Sequence, residues 1–190
     1  VLLGPYLGAI SVGLGTLVGH FVYFRDPFEL LFMIGAPLGS AVAGLIYQKR
    51  WRPVLGIYTL LLAGYFVYPV SWILPLWGIW DILVGYGLLL VYAFIVPRIE
   101  ITTERLDTVK KLLFSTVIGL EADILLRVFI LVPGQTYWLF YGLEPAQLQL
   151  LWVGAAFITP IKVALATIVS IVLGLSLMQF LNQDEIITQE

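Results

Sequence analysis

Between Pro53 and Val96 the chain runs 44 residues with a single charge, Asp81. Such a run belongs in hydrocarbon, where every backbone N–H and C=O must find a partner inside the protein. A helix meets that demand within one segment. One unbroken helix would rise about 66 Å at ~1.5 Å per residue and overshoot a bilayer core of ~30 Å. Pro69 and Pro75 mark the turn, which predicts two spans, 53–68 and 76–96. The linker YPVSWILPLW supplies Trp72 and Trp77, and Trp80 follows a turn later, an aromatic cluster suited to the membrane interface.

The rest of the chain is of the same kind. Hydrophobic residues make up 61% and charged residues 12%, against roughly 25% charged in a soluble domain. Mean hydropathy is +1.00. The expected fold is all-α: a polytopic membrane protein with six transmembrane helices in a single bundle, one transmembrane domain over 1–190. The spans are 2–24, 28–48, 53–68, 76–96, 112–132 and 161–181, with a lead-in at 146–158. A net charge of −2 without a basic run argues against a nucleic-acid partner. The absence of cysteine excludes disulfides and thiolate chemistry. One histidine, His20, argues against a histidine-rich metal site, and no cofactor is expected. Val1 already stands in an apolar run without an initiator Met or charged leader. No signal peptide is expected, and an earlier natural start is left open.

The first span pairs Gly4 with Gly8 and Gly15 with Gly19, so that each pair lies on one face and allows close helix approach. Arg25-Asp26-Pro27 breaks it. The second carries a ladder of Gly35, Gly39 and Ala43; Pro37 should kink it or end a first half, and Lys49-Arg50-Trp51-Arg52 closes it. After a polar stretch, Thr103 is a candidate N-cap, with Glu104 and Asp107 near the positive end of the helix dipole. That helix should enter the membrane near Leu112 and end at Pro133-Gly134. The last apolar stretch, 146–181, is too long for one straight span, and Thr159-Pro160 predicts a kink or break.

The fifth span reads LLFSTVIGLEADILLRVFILV and holds Glu121, Asp123 and Arg127. A charge in hydrocarbon costs at least ~2.5–3.5 kcal/mol and normally faces a partner or a wet cavity. The other helices should therefore surround this one, with its charged face toward a pocket. Lys49, Arg50 and Arg52 fill the second loop, and Arg98, Arg105, Lys110 and Lys111 the fourth, whereas the third and fifth have no Lys or Arg. The positive-inside rule then puts both termini in the cytoplasm of a multi-pass cell-membrane protein. Glu121 falls near mid-membrane; Asp123, Arg127, Asp81, Lys162 and His20 map to the outer half. An outward-facing polar pocket serves them best, with Glu121, Asp123, Arg127, Lys162 and Asp81 as candidate substrate-binding groups and Tyr137 and Trp138 as aromatic walls. Each has a plainer reading. Asp123 and Arg127 are four apart and form a self-neutralising pair; Lys162 snorkels; Asp81 caps a helix; His20 is interfacial; the aromatics anchor the chain in the membrane.

There is no HExxH, GxSxG, Walker loop or GxGxxG in strand context, so no enzyme is expected and active transport would draw its energy from a partner. LGPYLGAISVGLGTLVGHF followed by IGAPLGSAVAGLIYQKR resembles a mid-chain block of the S components of energy-coupling factor (ECF) transporters. STVIGLEADILLRVFILVP, an aromatic loop and ITPIKVALATIVSIVLGLSL resemble the end of that family, the likeness covering about half of the chain. The resemblance implies a six-helix subunit embedded in membrane lipid that captures a vitamin or similar micronutrient. It also implies a transmembrane T component and ATPase subunits as partners. The family's first helix usually carries an Ala-x-x-x-Ala face for the T component; here the GP helix comes first, and Gly4/Gly8 or Gly35/Gly39/Ala43 are the candidates for that face. No vitamin-subfamily signature matches, so no ligand residue is carried over. The alternative is a structural or accessory transmembrane subunit of a larger complex without a ligand of its own. A third reading, a lipid-directed enzyme with Glu121 or Asp123 as general base, lacks a nucleophile or metal set.

Overall fold

The computed structural model describes residues 3–24, 26–95 and 104–187, and every regular element in them is helical. Arg25, Arg98 and the candidate cap Thr103 lie outside the described residues. The α-helices are α1 (Gly4–Val22), α2 (Glu29–Phe32), α3 (Gly35–Tyr47), α4 (Trp51–Val67), α5 (Trp80–Phe94), α6 (Glu104–Leu131), α7 (Thr136–Leu139) and α8 (Pro145–Ile187). Two 3-10 turns, Pro69–Trp72 and Leu76–Ile79, join α4 to α5, so Pro69 and Pro75 do mark the turn. Among the described residues, Gly4–Val22, Glu29–Tyr47, Leu76–Phe94 and Pro145–Phe180 are long and apolar enough to cross a bilayer, and Trp51–Val67 is a shorter apolar helix. α6 has the length, 28 residues, but carries three charges across its middle.

α6 is the hub. It packs against α3, α4, α5 and α8, and touches the short α2 and α7. The α3–α6 crossing is close because small residues meet there. A Cβ on Gly39 would lie 2.7 Å from the Gly119 carbonyl oxygen, and one on Gly119 would lie 2.7 Å from that of Gly39. Backbone this close excludes any side chain at either position. The Gly35/Gly39/Ala43 ladder is thus spent inside the bundle. Gly8 of α1 faces Ser40 of α3, whereas Gly15 and Gly19 have open space.

Two prolines act differently from each other. Pro37 ends a first half, as its position in the sequence suggests: α2 stops at Phe32, and Pro37 falls in the first turn of α3, where its missing N–H costs no helix bond. Pro160 does not break the last segment. The expected lead-in at 146–158 and span at 161–181 form one continuous helix, α8, of 43 residues. Pro160 frees the carbonyl of Ala156, and the Trp80 indole N–H donates to that oxygen at 2.9 Å. A donor from α5 fills the place of the missing helix bond.

Ring contacts order the two ends. Trp51 meets Phe94 at 5.8 Å and Tyr92 meets Phe114 at 5.5 Å, which gathers the Lys49–Arg52 turn and the start of α6 at one end. At the other, Phe28 stacks on Phe140 at 4.5 Å, and Tyr65 lies parallel to Trp152 at 6.2 Å. The Tyr47 hydroxyl reaches Met178 Sδ at 4.0 Å at the basic end, so α8 passes from the aromatic end to the basic one between Trp152 and Met178.

Candidate functional site

Glu121 and Asp123 stand two residues apart on α6, about 200° round the helix. That spacing sends them to opposite sides, and the structure builds a different environment around each. The expectation of one charged face looking into one pocket is corrected on this point.

On the α3 side, Arg127 Nε donates to Asp123 Oδ1 at 2.6 Å and its Nη2 to Oδ2 at 3.2 Å. The pair occupies the notch left by Gly35, where an added Cβ would collide with the Asp123 carboxylate and lie 3.1 Å from Arg127 Nε. The plainer reading of Asp123 and Arg127 thus has its geometry: the two groups neutralise each other and key α6 into α3. Asp123 also lines a groove of about 310 Å³ with Val12, Gly39, Ser40, Thr116 and Ser170.

On the other side, Glu121 sits beneath α5. It is 3% exposed, and a Cβ on Gly85 would lie 2.7 Å from its Cβ and Cγ, so glycine at position 85 is what admits the acid. Its Oε2 is sealed from solvent without a hydrogen-bond partner. Tyr58 of α4 comes close, but its hydroxyl donates to the Ile118 carbonyl at 2.6 Å. Asp81 belongs to the same cluster. It is 4% exposed in the first turn of α5, four residues before Gly85. Asp81 Oδ1 accepts the Ile82 N–H at 2.9 Å, and its Oδ2 accepts the Thr159 hydroxyl from α8. Further along the same seam, the buried indole N–H of Trp152 has no partner. The cluster draws on α4, α5, α6 and α8, and among the described residues it presents carboxyl and hydroxyl oxygens without a basic side chain.

The remaining candidates are not brought to it. Lys162 is exposed on α8 among the exposed Ile158, Ile161 and Leu165. Trp138 is 57% exposed, whereas Tyr137 is buried at 6%. Their neighbours Phe140 and Tyr141 pack on Phe28, just before α2, and on Phe32 at the end of α2. Burial and the nearby Asp26 and Glu29 carboxylates raise the Tyr141 hydroxyl pKa above its ordinary value. His20 is buried, with Nδ1 3.7 Å from Glu29 Oε2.

Thr159 and Tyr58 are site residues that sequence reasoning missed. Thr159 had a signal: it precedes a helix-interior proline, at a depth where a hydroxyl seeks a partner. Tyr58 had none, since one tyrosine in an apolar helix looks like any other. No protein-family model, no curated relative and no solved structure matches the chain.

Proposed function

We propose that the chain is a membrane-embedded capture subunit for a small molecule of the vitamin or micronutrient class, which it passes to an ATP-driven complex. One observation carries the reading. Glu121 is a buried carboxyl with an unpartnered oxygen, set beside a second buried acid at the junction of four helices. Leaving such a group unmatched is costly, and an ionisable group inside a membrane bundle marks a binding or transport path by default. The site of capture is the Asp81–Thr159–Glu121 cluster, with Trp152 and Tyr65 as its aromatic neighbours. Lys162 and Trp138 fall outside it. In this reading the basic end of the bundle faces the cytoplasm, six segments cross the membrane with α6 as the fifth, and a T component and ATPases act as partners, as the ECF resemblance implies.

The test is a thermal-shift screen of the detergent-purified chain against vitamins and related metabolites, repeated with Glu121→Gln. A compound that raises Tm in the wild-type protein and not in the variant supports capture. No hit, together with no ATPase partner on pull-down, counts against it.

A second reading, an accessory subunit without a ligand, is favoured by a different observation. Asp123 and Arg127 are matched to each other, and α1 and α8 turn broad apolar faces outward, including Leu7, Ile10, Leu14, Leu165, Val169 and Leu173. Co-purification of a stoichiometric membrane partner unaffected by Glu121→Gln selects this reading.

A further inference from the structure

The basic side chains fall into two sets. Lys110 and Lys111 are paired with Asp107, and Arg127 with Asp123. Among the described residues, Lys49, Arg50 and Arg52 have no carboxylate partner, although they stand within four consecutive positions. The backbone that carries them is held in place. Lys49 N–H donates to the Ile46 carbonyl at 2.9 Å and Arg50 N–H to that of Leu45 at 2.8 Å. The Tyr92 hydroxyl donates to the same Ile46 carbonyl at 2.8 Å, which ties the turn to α5. Trp51 is half-buried, with its ring 5.8 Å from that of Phe94, and the Arg52 guanidinium lies 5.7 Å from the centre of the indole, a cation–π contact. Lys49, Arg50, Trp51, Arg52 and Pro53 line a notch of about 490 Å³. Three like charges share it, and among the described residues no carboxylate offsets their repulsion.

An anion supplies the missing charge, and the surroundings give its class. The notch opens where the apolar helices α3 and α4 meet at the end of the bundle, so it lies at the edge of the hydrocarbon. Phe94 and Ile95, at the end of α5, are exposed beside Trp51. Cationic and apolar surface thus adjoin, a pairing that suits a molecule with an anionic head and acyl chains. We propose that the Lys49–Arg52 notch binds the phosphate headgroup of an anionic phospholipid. Arg50 and Arg52 offer forked donors that match phosphate oxygens, Lys49 adds a third charge, and Trp51 with Phe94 lies along the glycerol and the upper acyl chains. The site is separate from the Asp81–Glu121 cluster, and the inference does not rest on the capture reading. The plainer role of these charges, orienting the chain in the membrane, needs no bound lipid and makes every cation pair at this end equivalent.

The experiment is native mass spectrometry of the full chain from detergent micelles holding equal amounts of phosphatidylglycerol and phosphatidylcholine, beside thermal unfolding in micelles with either lipid alone. Phosphatidylglycerol should be retained over phosphatidylcholine by about fivefold or more. Tm should be higher in phosphatidylglycerol by roughly 3 °C or more. The double variant Arg50→Gln/Arg52→Gln should lose both preferences. Lys110→Gln/Lys111→Gln removes the same charge from the same end of the bundle and should keep them. If the arginine pair does not fold once changed, Arg52→Gln alone should at least halve the retention ratio. Three results overturn the proposal: no preference for phosphatidylglycerol in the wild-type protein, equal loss in the two double variants, or a rise in Tm with millimolar inorganic phosphate in phosphatidylcholine micelles that matches the rise with phosphatidylglycerol. The second result marks a diffuse charge effect, and the third a site for a free anion.

Discussion

At the scale of single residues, charge and backbone conformation give separate expectations. Asp107 accepts from Lys110 at 2.9 Å and Lys111 at 2.6 Å, and these hydrogen bonds hold its carboxyl at a pKa of about 2. A depressed carboxyl pKa means a contribution fully present above the unfolded value near ~3.9 and lost as pH falls through ~2. The pair is partly exposed, so Asp107→Asn should cost no more than ~1 kcal/mol at neutral pH, read as a small drop in Tm. Lys49 closes α3 at φ +61°, and Arg50 N–H returns to the Leu45 carbonyl at 2.8 Å, a left-handed helix cap built on a residue with a Cβ. Lys49→Gly should therefore raise stability by roughly 0.5–1 kcal/mol. That Glu121 is anomalous was legible in the sequence, as was its separation from Asp123, which follows from two residues at 100° each. Its neighbours were not legible, because Asp81 and Thr159 arrive from other helices and nothing local marks the contact.

At the scale of elements, the close crossing of α3 and α6 depends on Gly39 and Gly119. Gly39→Ala and Gly119→Ala are each expected to destabilise by about 1–3 kcal/mol, through overpacking against backbone that cannot yield. Gly15→Ala, with nothing within 4 Å, serves as the neutral comparison, and unfolding in detergent by heat separates the three. α8 carries a second expectation. Trp80→Phe removes the donor that Pro160 makes necessary and should cost about 1–3 kcal/mol, whereas in a Pro160→Ala background the same change should cost much less. Glycine spacing made the packing faces readable. The continuity of α8 was not, since the rule that an interior proline breaks a helix holds only while no distant side chain supplies the missing bond.

At the scale of the whole molecule, the hub helix is the one whose charges set it apart from the apolar spans. Its two faces divide the work: Asp123 and Arg127 fix α6 to α3, and Glu121 turns toward α5. The surround of α6 by other helices was foreseeable from the cost of three charges in hydrocarbon; the division was hidden by treating those charges as one group. The basic turn after α3 and the start of α6 meet at one end, as the alternation of Lys and Arg between loops requires. The measurement that bears most directly on the central claim is an experimental structure of the detergent-purified protein at neutral pH, solved with the metabolite that scores best in the thermal-shift screen. The expected result is density for a bound species in contact with the Asp81–Glu121 cluster and within hydrogen-bond reach of Glu121 Oε2. A well-ordered Glu121 whose Oε2 is bonded to a protein donor, with nothing else beside it, is the contradicting result.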